Sequence, residues 1–408
     1  MKRRTFIQAT GAASLAAAAA PYRMAIGQGT SFSVDKAIVI GAGIVGASIA
    51  YNLSKRGCEV LVIDKVGPAA QASGNSFAWI NASYFDTPDS YFQLRTQSLN
   101  EFHRLAGELE LPIHWGGSLE WYHTAEQEQE VAAGIQRIQA QGAPAWMVEA
   151  AQVAEIEPGL DLIGNWQAAF CSRDGAVDPA GTTRALIDGH ARHGGSIIAP
   201  ANVSSVDTGP DSVTVTTDVG EFNADLAVVA AGVGANDIAG MIGLGTDLVR
   251  PATPGIIVTT RPMGRLLNTI CYTTDSHFHQ LPDGRVLIGE KAGPPQTEQH
   301  NLMLAGLPNV YPDAELAAGH AERVIDTASR YVDSLADAEV ESVGVGWRPL
   351  PLDGLPTVGH VPYKPRVYLA SMHSGVTLAP IVGHFAALEI LDGVRVSPLD
   401  DFRVERFL

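Results

Sequence analysis

The residues with the clearest chemical content are Gly41, Gly43 and Gly46, with Asp64 eighteen residues after the last of them. Glycines at this spacing have separate uses: a tight turn, a close backbone approach to a pyrophosphate, and close packing of a helix on a strand. A helix opening there points unpaired N–H groups and its positive dipole end at phosphates. A carboxylate at the position of Asp64 can accept both hydroxyls of an adenosine ribose. The flanking residues supply the elements this requires. Residues 37–40 are an apolar run of strand type, and residues 44–55 read as a helix with Ile49 and Leu53 on one buried face. Gly57 can end that helix, and residues 59–63 form a second strand that stops on Asp64. Three glycines alone are weak evidence, but set between these two strands they read as a dinucleotide fold.

Arg348 is the next residue of interest. Its planar guanidinium can hold a carboxylate through two parallel hydrogen bonds, and it sits among Val345, Trp347 and Pro349, an apolar setting for a charge. A surface ion pair is the alternative. His277 and His279 share one face of an alternating stretch; their spacing would suit a metal pair, yet no further ligand is identifiable, and packing or hydrogen bonding serves as well. His373 stands just ahead of Gly375, Val376 and Thr377, a glycine-containing loop that feeds a helix over 378–391 with Pro380 near its first turn. Trp79, Tyr84 and Trp121 are either pocket walls or core. Three scattered cysteines, Cys58, Cys171 and Cys271, are too few for a disulfide framework or a zinc cluster and read as buried apolar groups. No metal is expected.

The elements that position these residues alternate in character along the chain. A length of 408 residues with 46% hydrophobic content predicts two domains. Residues 88–105 read as a helix with Gly107 just past its end. Strand-like pieces around 118–123 follow, then helical stretches at 124–141 and 149–158. Helical periodicity returns over 179–193. Strands follow at 196–199, 203–207, 212–217 and 221–225, and an apolar strand at 226–230 closes on Ala231 and Gly232. Alternating segments at 256–260, 277–281 and 286–290 predict an antiparallel sheet, and 367–370 returns to a strand of the first type. The fold class is therefore α/β, a Rossmann-like nucleotide domain with a second domain built on a mostly antiparallel sheet. The nucleotide domain is expected from 35–112, 175–249 and 345–408, and the substrate domain from 113–174 and 250–344.

Residues 1–34 read as an export signal and leader. Arg3 and Arg4 precede Phe6, Ile7 and a weakly apolar, alanine-rich run, the pattern of a twin-arginine signal, which places the protein in the periplasm or otherwise outside the cytoplasm. No stable membrane span is expected once the leader is removed. The formal charge of −17 disfavours nucleic acid as a partner.

Several motifs recur together in an order that resembles the D-amino-acid oxidase and dehydrogenase family, with its glycine oxidase and sarcosine oxidase relatives. They are the opening at 37–65, the loop Ser73, Gly74, Asn75 and Ser76, the turn Gly175 to Pro179, the strand end Val228 to Gly232, the stretch Trp347, Arg348 and Pro349, and the ending 367–380. The resemblance covers nearly all of the chain after residue 35. It implies that the cofactor is FAD, held by Gly41, Gly43, Gly46, Asp64 and Lys65, with Val203 near the adenine and Ala231 and Gly232 at a strand end. It also implies that Ser73 to Ser76 lie near the middle of the flavin and Gly375 to Thr377 along its pyrimidine edge. Arg348 matches the family's carboxylate-binding arginine, and His279 and His373 join it as catalytic candidates. Relatives that tether FAD covalently use a cysteine just before this ending or a histidine near the N-terminus. Cys271 lies well upstream and residues 70–82 hold no histidine, so the FAD is expected to be non-covalent. The implied reaction is oxidative deamination of a small amino acid, of D configuration, by hydride transfer to flavin N5 and hydrolysis of the imine. Electrons then pass to oxygen or to a respiratory acceptor. Oxidation of an N-methyl or cyclic secondary amino acid is the alternative, and a flavin-containing binding subunit without turnover a more distant one.

Overall fold

The computed structural model describes residues 32–84, 87–161, 167–291, 308, 310–311 and 313–408. The expected leader lies, through residue 31, outside the described residues.

The apolar strand runs assemble into one six-stranded sheet, ordered Thr357–Val361, Lys364–Ser371, Leu226–Val229, Lys36–Ile40, Glu59–Ile63, Ser196–Ile198. All neighbours are parallel except the outer hairpin of Thr357–Val361 with Lys364–Ser371. The runs are continuous rather than alternating because both faces of this sheet are buried. Ala37 and Val39 join a core with the helices Ile44–Lys55, Pro179–Arg192 and Gly375–Asp392. Ile38 and Ile40 join a second core, capped by the meander Val203–Thr208, Val213–Thr217, Gly220–Ala224 and the helix Ala235–Met241.

Two helices depart from the sequence expectation, each for a visible reason. Asp89–Leu109 does not stop at Gly107; Leu105, Leu109 and Leu111 keep contact with the core, and the helix ends on Glu110 in the left-handed region at φ 55°. The last helix opens at Gly375, three residues early, so Pro380 lies inside it. Proline cannot sit in a helix interior without pushing the preceding turn apart. Here the Ser98 hydroxyl fills the break, donating to the Thr377 carbonyl at 2.6 Å and accepting from the Ile381 N–H at 3.4 Å. The helix is long and apolar enough to cross a membrane, but it is mostly buried as the core helix against Ile44–Lys55.

The second sheet has eight strands, ordered Val340–Arg348, Thr253–Thr260, Val286–Glu290, Ser276–Gln280, Ile270–Tyr272, Ser118–Glu120, Gln167–Cys171, Ala145–Glu149. It is antiparallel except where Ile270–Tyr272 runs parallel to Ser118–Glu120. The helix Ala314–Ser329 covers one face through Ala321, Val324 and Ala328. The strand Val340–Arg348 runs straight through the expected boundary at 344, with Arg348 paired to Thr253. Arg348 is thus delivered by the antiparallel sheet, and we read the chain as otherwise alternating between the two domains as the sequence suggests.

Replacing Ser98 by Ala should destabilise the protein by about 1–3 kcal/mol, because the Thr377 carbonyl and the Ile381 N–H are then left buried without their shared partner. Urea unfolding checks this; an unchanged midpoint would refute the bridging role.

Candidate functional site

One cleft of about 1290 Å³ opens where the carboxyl ends of the parallel strands meet the antiparallel sheet, the position at which open α/β sheets bind ligands. Gly41, Gly43, Asp64, Lys65, Ser73, Asn75, Ser76, Val203, Ala231, Gly232, Gly375, Val376 and Thr377 all line it, as do Arg348 and His373. Gly46 and Gly74 stand behind this lining. A β-carbon on Gly46 would overlap the Gly41 carbonyl, and one on Gly74 would overlap the Ala69 carbonyl. Gly41 adopts φ +113° with the Ala230 carbonyl against it, so no other residue fits.

Asp64 performs more than the one task expected of it. One carboxylate oxygen accepts from the Ala42 N–H at 2.7 Å and the other from Val66 and Gly67, both at 2.8 Å. It therefore ties the glycine turn to the end of its own strand while still lining the cleft. Ser73 accepts from the Ile44 N–H at 2.9 Å, capping the first helix from a remote loop. That loop rests on the antiparallel sheet through two glycines the sequence reading overlooked. Gly344 and Gly346 lie under Asn75, and a β-carbon at Gly346 would come within 2.7 Å of the Asn75 carbonyl oxygen. Alternate glycines in a strand are the signal that another backbone approaches closely.

Asp174, also overlooked, is wholly buried and gathers the aromatic segment of the cleft. It accepts from Trp79 Nε1 at 3.1 Å, the Ala82 N–H at 3.1 Å, and the hydroxyls of Ser83 and Ser118 at 2.5 and 2.8 Å. Burial pushes its carboxyl up, against the pull of these donors. Arg95 performs a similar task with positive charge, donating to Asn81 and, at 2.6 Å, to Ser374 beside the last helix, with Tyr91 stacked on its guanidinium.

At the antiparallel-sheet end, Arg348 makes no hydrogen bond or ion pair with any described residue, and partial burial lowers its pKa. His373 opens onto the cleft, yet protein walls it closely enough that desolvation, then Arg348 and Arg95, hold it down to about 4. The two strand histidines divide. His277 lines the cleft, stacked on Tyr272 at 5.5 Å, and its pKa is pushed down to about 3 by burial, then by Lys291, His279 and Arg348. His279 is buried away from the lining and bonds the Phe77 carbonyl through Nε2 at 2.7 Å. The structure thus brings His277, rather than His279, to the cleft with Arg348 and His373. Trp121 is core, whereas Trp79 and Tyr84 line the cleft. Glu120, Tyr272 and Lys291 also line it and were not singled out from the sequence; nothing in their spacing marks them, since two come from separate strands and Lys291 follows a third.

The cleft fits FAD: β-carbons at Gly41 and Gly46 would run into backbone carbonyls, so the turn can be built only from glycine, and the cleft joins this turn to the antiparallel sheet. The chain matches the family model described as FAD dependent oxidoreductase over residues 36–388. It is 28% identical over 390 residues to glycine oxidase of Bacillus licheniformis, covering 90% of this chain and 96% of that protein. It is 25% identical over 334 residues to mitochondrial dimethylglycine dehydrogenase of Rattus norvegicus, covering 79% of this chain and 39% of that one. The structure of glycine oxidase from Geobacillus kaustophilus superimposes with a TM-score of 0.81 at 24% identity, covering 92% of this chain and 99% of that one. The cofactor is FAD, held non-covalently; Cys271 is fully buried and its thiol is pushed up by burial. The expected periplasmic, twin-arginine-exported location is corrected by the relatives, among which the dimethylglycine dehydrogenases of rat, mouse and human are mitochondrial enzymes by name.

Acid precipitation of the yellow protein should release the flavin into the supernatant; colour left in the pellet would contradict non-covalent binding. Gly346→Ala should weaken FAD retention at least about tenfold, because the clashing atom is backbone and cannot swing aside. A dissociation constant equal to the parent's would show that the Asn75 loop does not depend on this contact.

Proposed function

This chain belongs to the FAD-dependent oxidoreductase family, and from that premise we propose that it oxidatively deaminates a small amino acid of D configuration, with Arg348 as the carboxylate clamp. The reaction class is FAD-dependent oxidation of a small amino or imino acid; the D-amino acid follows from the ordered motifs that resemble D-amino-acid oxidases. The observation that carries the reading is the guanidinium of Arg348, which lines the cleft, is open to solvent there and has no anion among the described residues to pair with it. A substrate carboxylate supplies that anion, and the rigid fork fixes the substrate in one orientation.

When bound, FAD supplies the two-electron acceptor for the carbon–nitrogen bond. The chain's own residues position and desolvate. His277 and His373 remain neutral at physiological pH, so they add no positive charge beside Arg348 and can accept hydrogen bonds from the substrate nitrogen. Tyr272, its hydroxyl pushed up to about 12 by burial and then by Glu120, stays protonated and forms an aromatic wall with Trp79 at 5.6 Å. Holding the α-carbon against a fixed acceptor accounts for most of the rate effect in such a site, and little proton transfer by side chains is needed. Electrons leave to an external acceptor.

Arg348→Leu should cost about 2–5 kcal/mol in kcat/KM for amino acids, and Lys should restore only part of it. Decarboxylated amines should be affected far less. Equal flavin bleaching by amino acids and their decarboxylated analogues, both unchanged in Arg348→Leu, would replace the clamp by simple amine oxidation. Preferential bleaching by N-methyl or cyclic amino acids would move the substrate to secondary amines.

A further inference from the structure

The carboxylate clamp leaves a second cation in the cleft unexplained. Lys291 follows the strand Val286–Glu290 and lines the same cleft as Arg348. Its Nζ lies 4.2 Å from the centroid of the Tyr122 ring and 4.4 Å from that of Tyr272, and donates to the Tyr122 hydroxyl at 3.1 Å. No described carboxylate stands within ion-pair distance of it. The two acids whose fields reach it are engaged elsewhere. Glu120 accepts from the Tyr122 hydroxyl at 2.5 Å, and Asp275 from Tyr331 at 2.6 Å and Thr273 at 3.0 Å. Burial also pushes the Glu120 carboxyl up, which weakens its hold on the lysine. Aromatic faces on two sides of an ammonium leave its remaining N–H donors for the open side, here the cleft.

Lys291 and Arg348 also share neighbours. Tyr272 lies under Lys291 and within the field of Arg348, and His277 feels both cations. Their strands flank Thr253–Thr260 on opposite sides, about 10 Å apart across the sheet, and two long side chains can close that span on a small molecule between them. Between the cations the lining includes Trp79, Tyr272 and His277, and the nearby Glu120 carboxyl is engaged by the Tyr122 hydroxyl and its pKa is raised by burial.

We propose that Lys291 is a second anion-binding point and that the substrate is an amino dicarboxylic acid, with one carboxylate on Arg348 and the other on Lys291. This rests on the carboxylate role proposed above for Arg348. Lys291 then selects the substrate's distal group rather than taking part in the chemistry.

The test uses the holoenzyme, its Lys291→Gln, Lys291→Arg and Arg348→Leu variants, and two readouts. The first is kcat/KM for D-aspartate and D-glutamate against D-asparagine and D-glutamine. The second is calorimetric binding of the inert acids glutarate and butyrate. In the parent, the dicarboxylates should exceed their amides, and glutarate should exceed butyrate, by about ten- to a hundredfold, the worth of one charge-assisted hydrogen bond. Lys291→Gln should bring both ratios close to one, and Lys291→Arg should keep most of the preference. A parent that binds glutarate no more tightly than butyrate, or a Lys291→Gln variant that keeps the preference, overturns the proposal. Should Lys291→Gln fail to fold, the parent ratios and Lys291→Arg still decide it. If butyrate binding falls in Arg348→Leu while glutarate shows no advantage in the parent, only the Lys291 assignment fails. If Arg348→Leu alters neither ligand, the clamp itself is wrong.

Discussion

Three stretches of backbone meet along the cleft with no room for a β-carbon between them. Gly41 lies against the Ala230 carbonyl, Gly46 against the Gly41 carbonyl, and Gly344 and Gly346 beneath Asn75. The first two contacts set the dinucleotide turn on the parallel sheet. The second pair seats the loop that caps the first helix onto the antiparallel sheet. Because proteins pack at near-crystalline density, a single methylene at Gly41, Gly46 or Gly346 meets backbone, which cannot swing aside, and one at Gly344 meets the Asn75 side chain. The dinucleotide turn and the antiparallel sheet are therefore held in register by the same steric constraint, and Ser73, Asn75 and Arg348 stand around one cleft as its consequence.

Electrostatics then divides the molecule. Charges in the scaffold are compensated: Arg403 meets Glu389 at 2.5 Å in the core, and Arg285 meets both Asp178 and Asp283. Asp174 accepts from Trp79, Ala82, Ser83, Ser118 and the Cys171 thiol. In the cleft the pattern reverses. Arg348 and Lys291 face it without an ion pair among the described residues, and the histidines beside them are kept neutral. Two cations without carboxylate partners on the wall of a cleft give it a positive field that favours an anionic ligand. That difference between scaffold and cleft is what supports the proposal of an anionic substrate.

The aromatic segment from Phe77 to Tyr84 links these two regions. Its start is bound by His279 through the Phe77 carbonyl, its middle by Asp174 through Trp79, Ala82 and Ser83, and Thr377 of the last helix donates to the Trp79 carbonyl at 3.2 Å. Ala78 takes a left-handed conformation at φ 56° within it, a strained state that persists only where the surroundings fix it. The buried histidine and aspartate thus act on the site through the segment they hold.

The amino-acid sequence by itself determined the dinucleotide unit, the α/β class, the second antiparallel sheet and the lining of the nucleotide half of the cleft. These follow from local signals: glycine spacing, apolar runs of strand length, and a carboxylate at a fixed distance along the chain. It also singled out Arg348 through its apolar neighbours. Only the tertiary structure decided which of His277 and His279 reaches the cleft, because alternation assigns a face without saying what lies over each position. It alone joined Glu120, Tyr272 and Lys291, which no spacing connects since they arrive on or just after three different strands. It showed why Pro380 is tolerated inside a helix, through a hydroxyl from another helix, and why Gly344 and Gly346 are glycines. Local patterns record what a residue does to its own chain segment; contacts between distant segments depend on the register of sheets and the packing of helices, which are fixed only when the whole chain has folded.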